Sequence, residues 1–196
     1  MTKSVKTLTL ITILALLFNC SDAQLRLPLV NAVGADIKKV IEDYPNRFIN
    51  LMGEVKMENT QSTDYQCNFN VNGAEEATVT RYSAKKEICS WEALMLTTEN
   101  FEKAKQKFKA LYNQLNHLSV DIAGTRNFHL KGKYEMPVEE KKFASVLFSL
   151  EPDNESVKKL RIEITLQAYE AMEWKVRVLV YDKDREDEER GKTVEE

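Results

Sequence analysis

From Thr98 to Leu118 only one side of the chain is apolar, and the flanking segments alternate as strands do. Phe101, Ala104, Phe108, Leu111, Tyr112, Leu115 and Leu118 recur at three- and four-residue steps. At ~100° per residue they fall within an arc of roughly 120°, the width of a helix face laid on a core. Thr97 or Thr98 is the expected N-cap, and Glu99 and Glu102 suit the positive end of the helix dipole. A single amphipathic helix embedded among strands has one economical fate, which is to cover one face of a sheet.

The strands around it read with unequal clarity. Leu160, Ile162, Ile164, Leu166 and Ala168 alternate with Arg161, Glu163, Thr165 and Gln167, and Trp174, Val176, Val178 and Val180 form a partner of the same kind. Each has one apolar and one wet face. Lys142 to Leu150 alternates with apolar residues on both sides, so both of its faces are expected to be partly covered. Phe128 to Tyr134, Glu87 to Leu96 and Tyr65 to Val71 are further strands, a less regular return strand carries Ala77, Val79 and Tyr82, and Glu54 to Glu58 is a weak one. Asn72-Gly73 predicts a two-residue type I′ hairpin. Ser119 to Arg126 reads as a connection. Ahead of the strands, Asp36 is the expected cap of a broken helix over residues 36 to 52, interrupted at Pro45 and stopped at Gly53.

The fold class is therefore α+β, an antiparallel sheet of about six to seven strands with two main helices on one face. Helix plus three strands followed by helix plus four strands fits either a divergent αβββ duplication or a common α+β rhythm.

Residues 1–23 read as a secretory signal, with Lys3 and Lys6 before the apolar run Leu8 to Phe18 and the small residues Ser21 and Ala23 before a cut at Gln24. That run is short of the ~20 apolar residues a membrane span needs. The alternative is a lipoprotein: Cys20 stands where acylation would anchor the chain, although Asn19 is a poor fit to the small residue expected before it. Both readings export the chain, to the periplasm or beyond. Residues 24–181 form one domain, and the acidic run from Asp182 to Glu196 is an expected disordered tail.

The formal charge is −3, and it comes largely from that tail. A near-neutral body argues against a nucleic-acid partner, which calls for a basic face that displaces phosphate counterions. Cys67 and Cys89 are the cysteines left after cleavage, and an even pair in an exported chain predicts a disulfide. A simple meander resists it. One strand would separate the two, about 9.6 Å across two strand spacings, whereas a bridge holds Cα atoms within about 7 Å. A bulged return strand, a different strand order or two buried thiols would each resolve the conflict.

Chemical motifs are sparse. His117 is expected to face water and His129 to lie on a strand, neither at metal-ligand spacing from Cys, Asp or Glu. The sequence has no nucleophile elbow, HExxH, Walker loop or GxGxxG, so neither a cofactor nor a metal is expected. Lys103, Lys105, Lys107 and Lys109 alternate along the helix and so do not form one stripe; Lys105 and Lys107 flank the apolar arc, where their stems can cover the core edge. Trp91, Trp174, Phe108 and Tyr112 are the candidate binding surface, with core packing as the competing use of the tryptophans.

The run Phe48-Ile49-Asn50-Leu51-Met52-Gly53-Glu54, the Asn72-Gly73-Ala74 turn and Trp91 leading into Asn100-Phe101-Glu102-Lys103-Ala104 together resemble a loose group of small exported Bacteroidetes proteins of unknown function. The resemblance spans about residues 36 to 118. It implies an envelope setting and transfers no catalytic residue. The layering is also similar to secretion-chaperone-like α+β domains, which work by binding. The expected function is a non-enzymatic protein- or peptide-binding module, inhibitor- or chaperone-like, with an envelope or secreted protein as partner. A carrier of a small apolar ligand and an envelope hydrolase are the alternatives.

Overall fold

The computed structural model describes residues 32–83, 88–122, 124–169 and 173–184. The expected secretory segment, Cys20, residues 170–172 and the expected tail from residue 185 lie outside the described residues. Two helices, α1 (Ala32–Glu42) and α2 (Phe101–Leu115), accompany nine strands: β1 (Met52–Glu58), β2 (Ser62–Cys67), β3 (Glu76–Tyr82), β4 (Ile88–Thr98), β5 (Ser119–Ile122), β6 (Thr125–Gly132), β7 (Phe143–Glu151), β8 (Leu160–Ala168) and β9 (Trp174–Asp182). They make one antiparallel sheet in the order β1-β2-β3-β4-β9-β8-β7-β6-β5. The α+β class holds, with nine strands where six to seven were expected. Two strands account for the difference: β5, and β1, which read as no more than the weak run Glu54 to Glu58. Ser119–Ile122, read as a connection, is β5, too short at four residues for its alternation to stand out. The expected Tyr65–Val71 strand is shifted, beginning at Ser62 and ending at Cys67.

Each meander runs inward, so the last strand of each, β4 and β9, meet at the centre in a long antiparallel pair. Their helix-side residues pair across the ladder, Trp91 with Val180 and Ala93 with Val178. Ile162 and Ile164 of β8 and Phe148 and Val146 of β7 continue the same layer. Against it lie Ala104, Phe108, Leu111 and Leu115 of α2 and Ile37, Val40 and Ile41 of α1, all buried.

The sheet curls around its helices. Asp36 of α1 bonds Asn72 in the loop between β2 and β3, while Glu42 of the same helix accepts the Asp121 N–H of β5 at 3.1 Å. In a flat sheet those strands would stand roughly 30 Å apart at ~4.8 Å per strand. The two helix residues are only about 9 Å apart along α1. Curvature of the sheet and the reach of the 68–75 loop together bring both to one helix.

Local chemistry departs from the sequence reading where a side chain captures the backbone. Asn100, not a threonine, caps α2, its Oδ1 accepting the Lys103 N–H at 3.0 Å, and Thr98 Oγ1 accepts the Asn100 N–H instead. The helix ends at Leu115, and Leu118 follows His117, which takes a left-handed φ of 72°. Asp36 lies inside α1, because the helix starts at Ala32. After α1 come two 3-10 turns, Tyr44–Asn46 and Ile49–Leu51, separated by left-handed Arg47 and Phe48. Gly53 belongs to β1, where a Cβ would lie 2.8 Å from the Gln66 carbonyl oxygen; its role is close approach, not a helix stop.

Asn72-Gly73 does turn the chain, with the Ala74 N–H on the Val71 carbonyl at 3.1 Å. Only Gly73 has positive φ, at 68°, so the turn is type II inside a wider loop. The ladder consequently pairs Gln66 with Thr78. Asp182, expected to open the tail, instead closes β9 and accepts the Tyr44 hydroxyl at 2.8 Å.

Candidate functional site

The expected surface residues are largely core residues. Trp91 and Phe108 are fully buried and Trp174 nearly so. Phe101 packs on Trp174 with ring centroids 4.9 Å apart. Tyr112, half-buried, donates to the Gly132 carbonyl at 3.2 Å and lies against Tyr134 and Phe148. Sheet position explains this: Trp91 and Trp174 point from the central strands toward the helices, where nothing but core can meet them.

The Cys67–Cys89 bridge is not formed. Both thiols are buried, and β3 stands between β2 and β4. Cys89 pairs with Arg81 on that strand, whereas Cys67 follows Gln66, the partner of Thr78. The meander geometry wins, and the thiols are also offset along the strands.

Two surfaces remain after the core is set aside. The first is the solvent face of the second half. Phe143 and Leu147 on β7 are each 50% exposed, and Tyr169, just past β8, is 39% exposed. Both faces were expected to be partly covered, and the coverage is unequal: Ala144, Val146, Phe148 and Leu150 lie on the core side, whereas Phe143 and Leu147 on the opposite side are only half covered. Met136 and Val138, in the connection entering β7, extend the exposed apolar set. The Tyr169 ring lies beneath two cations, Lys175 and Arg177, at 4.9 and 4.8 Å. Arg177 also donates to the Tyr169 hydroxyl at 2.6 Å and pairs with Glu92 at 2.8 Å. Tyr181 donates to Glu163 at 3.0 Å on the same face. On this face aromatic and aliphatic groups stand among hydrogen-bonded and ion-paired polar side chains.

The second is a cleft of about 470 Å³ beside the 68–75 loop, lined by Gln66, Phe69, Asn70, Glu75, Glu76 and Leu94 among others. Its wall is pinned at several points. Asp36, buried in α1, accepts the Asn72 N–H and carboxamide at 2.9 and 2.6 Å. Lys107 of α2 donates to the Gly73 carbonyl at 2.9 Å; burial pushes its pKa down, with the Glu75 charge opposing. The lysine beside the apolar arc thus ends as a strut to this loop.

The structure also assembles a pair that the sequence reading missed. Ser119 and His129 are register partners on β5 and β6, with Oγ 2.9 Å from Nδ1. Glu151 is the next residue across the ladder, and its Oε1 accepts from Lys131 at 3.0 Å. A nucleophilic triad has serine on Nε2 and the acid on Nδ1. Here serine occupies Nδ1, and both residues stand exposed on an open strand face. Recognising β5 as a strand would have revealed the pair. Among the described residues, no three His, Cys, Asp or Glu side chains cluster at metal-binding distance, and no helix is long and apolar enough to cross a membrane.

Comparison with protein-family models, curated proteins and solved structures finds no match for the chain.

Proposed function

We propose that the chain is an exported, non-enzymatic module that binds another protein or a peptide through the solvent face of β7, β8 and β9. The observation that carries this is Phe143 and Leu147, half-exposed on one side of β7, with the clamped ring of Tyr169 at the neighbouring strand end toward Phe143. Large apolar groups exposed on one sheet face mark interaction sites, and Tyr and Arg are the residues interfaces favour.

The face is a better platform than either edge. β1 exposes Val55 and Met57, but two register shifts distort it and Lys56, which pairs with Glu76, sits on it; bulges and lysines are what blunt an edge against added strands. At the other edge, α1 takes the Asp121 N–H of β5. The partner is an envelope or secreted protein, reached after cleavage behind Ala23 or, in the lipoprotein alternative, from an anchor at Cys20. The carrier alternative loses the wall it called on, since Trp91, Phe108 and Trp174 are spent on core packing. We also read the inward-running meanders, each preceded by a helix, as a divergent duplication.

A photo-crosslinking residue placed at Leu147 in the natively exported protein tests the reading. It should give one discrete adduct that Phe143→Ser abolishes, while the same probe at Thr78, on the far side of that face, gives none. Equal labelling at both positions, or none at Leu147, would sink it.

A further inference from the structure

We propose that the cleft beside the 68–75 loop is a binding site for a neutral carbohydrate. Four residues with planar polar side chains line it, the carboxamides Gln66 and Asn70 and the carboxylates Glu75 and Glu76. Among the described residues neither carboxamide is engaged in a hydrogen bond. Each carboxylate uses one oxygen, Glu75 on the Thr97 N–H at 2.8 Å and Glu76 on Lys56. An amide presents donors and an acceptor in one plane, and a carboxylate presents a second acceptor edge. That is the inventory vicinal hydroxyls require, since each hydroxyl both gives and accepts. Phe69, half-buried in the wall with the Lys39 ammonium 5.3 Å from its ring centroid, supplies an apolar edge for the C–H face of a sugar ring.

Charge and stiffness narrow the class. Lys56 offsets Glu76, Lys107 stands in the field of Glu75, and Lys39, over Phe69, is paired with Asp36 at 3.4 Å. The balance leaves little net potential to select an ion, and favours a ligand that is polar without charge. The volume lies within the ~300–1,000 Å³ range of small-molecule sites. The wall is already fixed by the Asp36–Asn72 and Lys107–Gly73 bonds, by Asn68 Nδ2 on the Asn50 carbonyl at 2.7 Å, and by the Glu75 N–H on the Leu94 carbonyl at 2.7 Å. Binding therefore orders little that is not ordered beforehand.

The test is saturation-transfer NMR on the full exported protein with maltose, cellobiose and diacetylchitobiose, and with glucosamine, glucuronic acid and an Arg-Asp dipeptide as charged probes. At least one neutral sugar should show transfer at millimolar concentration. Asn70→Ala and Gln66→Ala should each weaken it about tenfold, the worth of one or two hydrogen bonds, with the thermal midpoint unchanged. Phe143→Ser should leave it intact, which separates this site from the protein-binding face. No transfer from any neutral sugar, transfer indifferent to both variants, or stronger transfer from the charged probes would overturn the assignment.

Discussion

At the scale of single residues, Asp36 shows how much one buried carboxylate can organise. Burial alone pushes its pKa up, but the Asn72 N–H, the Asn72 carboxamide and the Lys39 ammonium outweigh it, so the pKa ends below the ordinary 3.8. A depressed folded-state value gives stability that is present above the unfolded pKa and is lost as pH falls through the folded one. The urea midpoint of the native chain should therefore fall as pH drops below about 4, and Asp36→Asn should show a shallower fall over that window. At neutral pH the same variant should cost about 1–3 kcal/mol, the range for disturbing a hydrogen-bonded buried charge. Equal acid limbs in the two proteins would contradict the role given to Asp36. None of this was legible in the sequence. The alternation of apolar positions places Asp36 at a helix start, but its partner lies in a loop distant along the chain, and a carboxylate gives no periodic sign of where its bond goes.

Elements were legible in proportion to how completely their pattern obeyed one period. β8 and β9 alternate without fault, and both were read to within a residue or two of their ends. The first half is harder because its strands are bulged, edge-like or short, and the helix-to-strand passage is built from left-handed Arg47 and Phe48, where neither the helix nor the strand period applies. Side-chain direction was the other blind spot: periodicity says that Phe143 and Leu147 share a face but not that it is only half covered. That exposure makes an element-level prediction. Phe143→Ser and Leu147→Ser should each change stability by no more than about 0.5 kcal/mol, as surface substitutions do. Val146→Ala, on the helix side of the same strand, removes buried methyl groups and should cost roughly 1–3 kcal/mol. Chemical denaturation of the three variants decides the orientation of β7. Gly53→Ala should also destabilise, because its Cβ would press on the Gln66 carbonyl, which is backbone and cannot step aside.

For the whole domain, the cysteines and the two meanders make connected claims. With Cys67 and Cys89 buried and unbridged to one another, reduction should leave the protein's intact mass and its urea midpoint unchanged, and alkylation of both thiols should wait for unfolding. The stability must then come from the shared core, and the topology indicates how it is shared. β4 of the first meander and β9 of the second are joined along most of their length, and α1, which precedes the first meander, is bonded to β5 of the second. Neither half keeps its helix layer if the other leaves, since α2 packs across β4, β8 and β9 together. One cooperative transition is the expected result even if the halves arose by duplication. Trp91 sits in the first meander and Trp174 in the second, so Trp91→Phe and Trp174→Phe leave one fluorophore to report on each half. Both substitutions will lower the midpoint, yet within each variant the fluorescence and far-UV transitions should coincide. A tryptophan signal that moves at a denaturant concentration where the far-UV signal has not would mean that the halves unfold separately. The β4–β9 seam would then be an interface between two small domains rather than the middle of one.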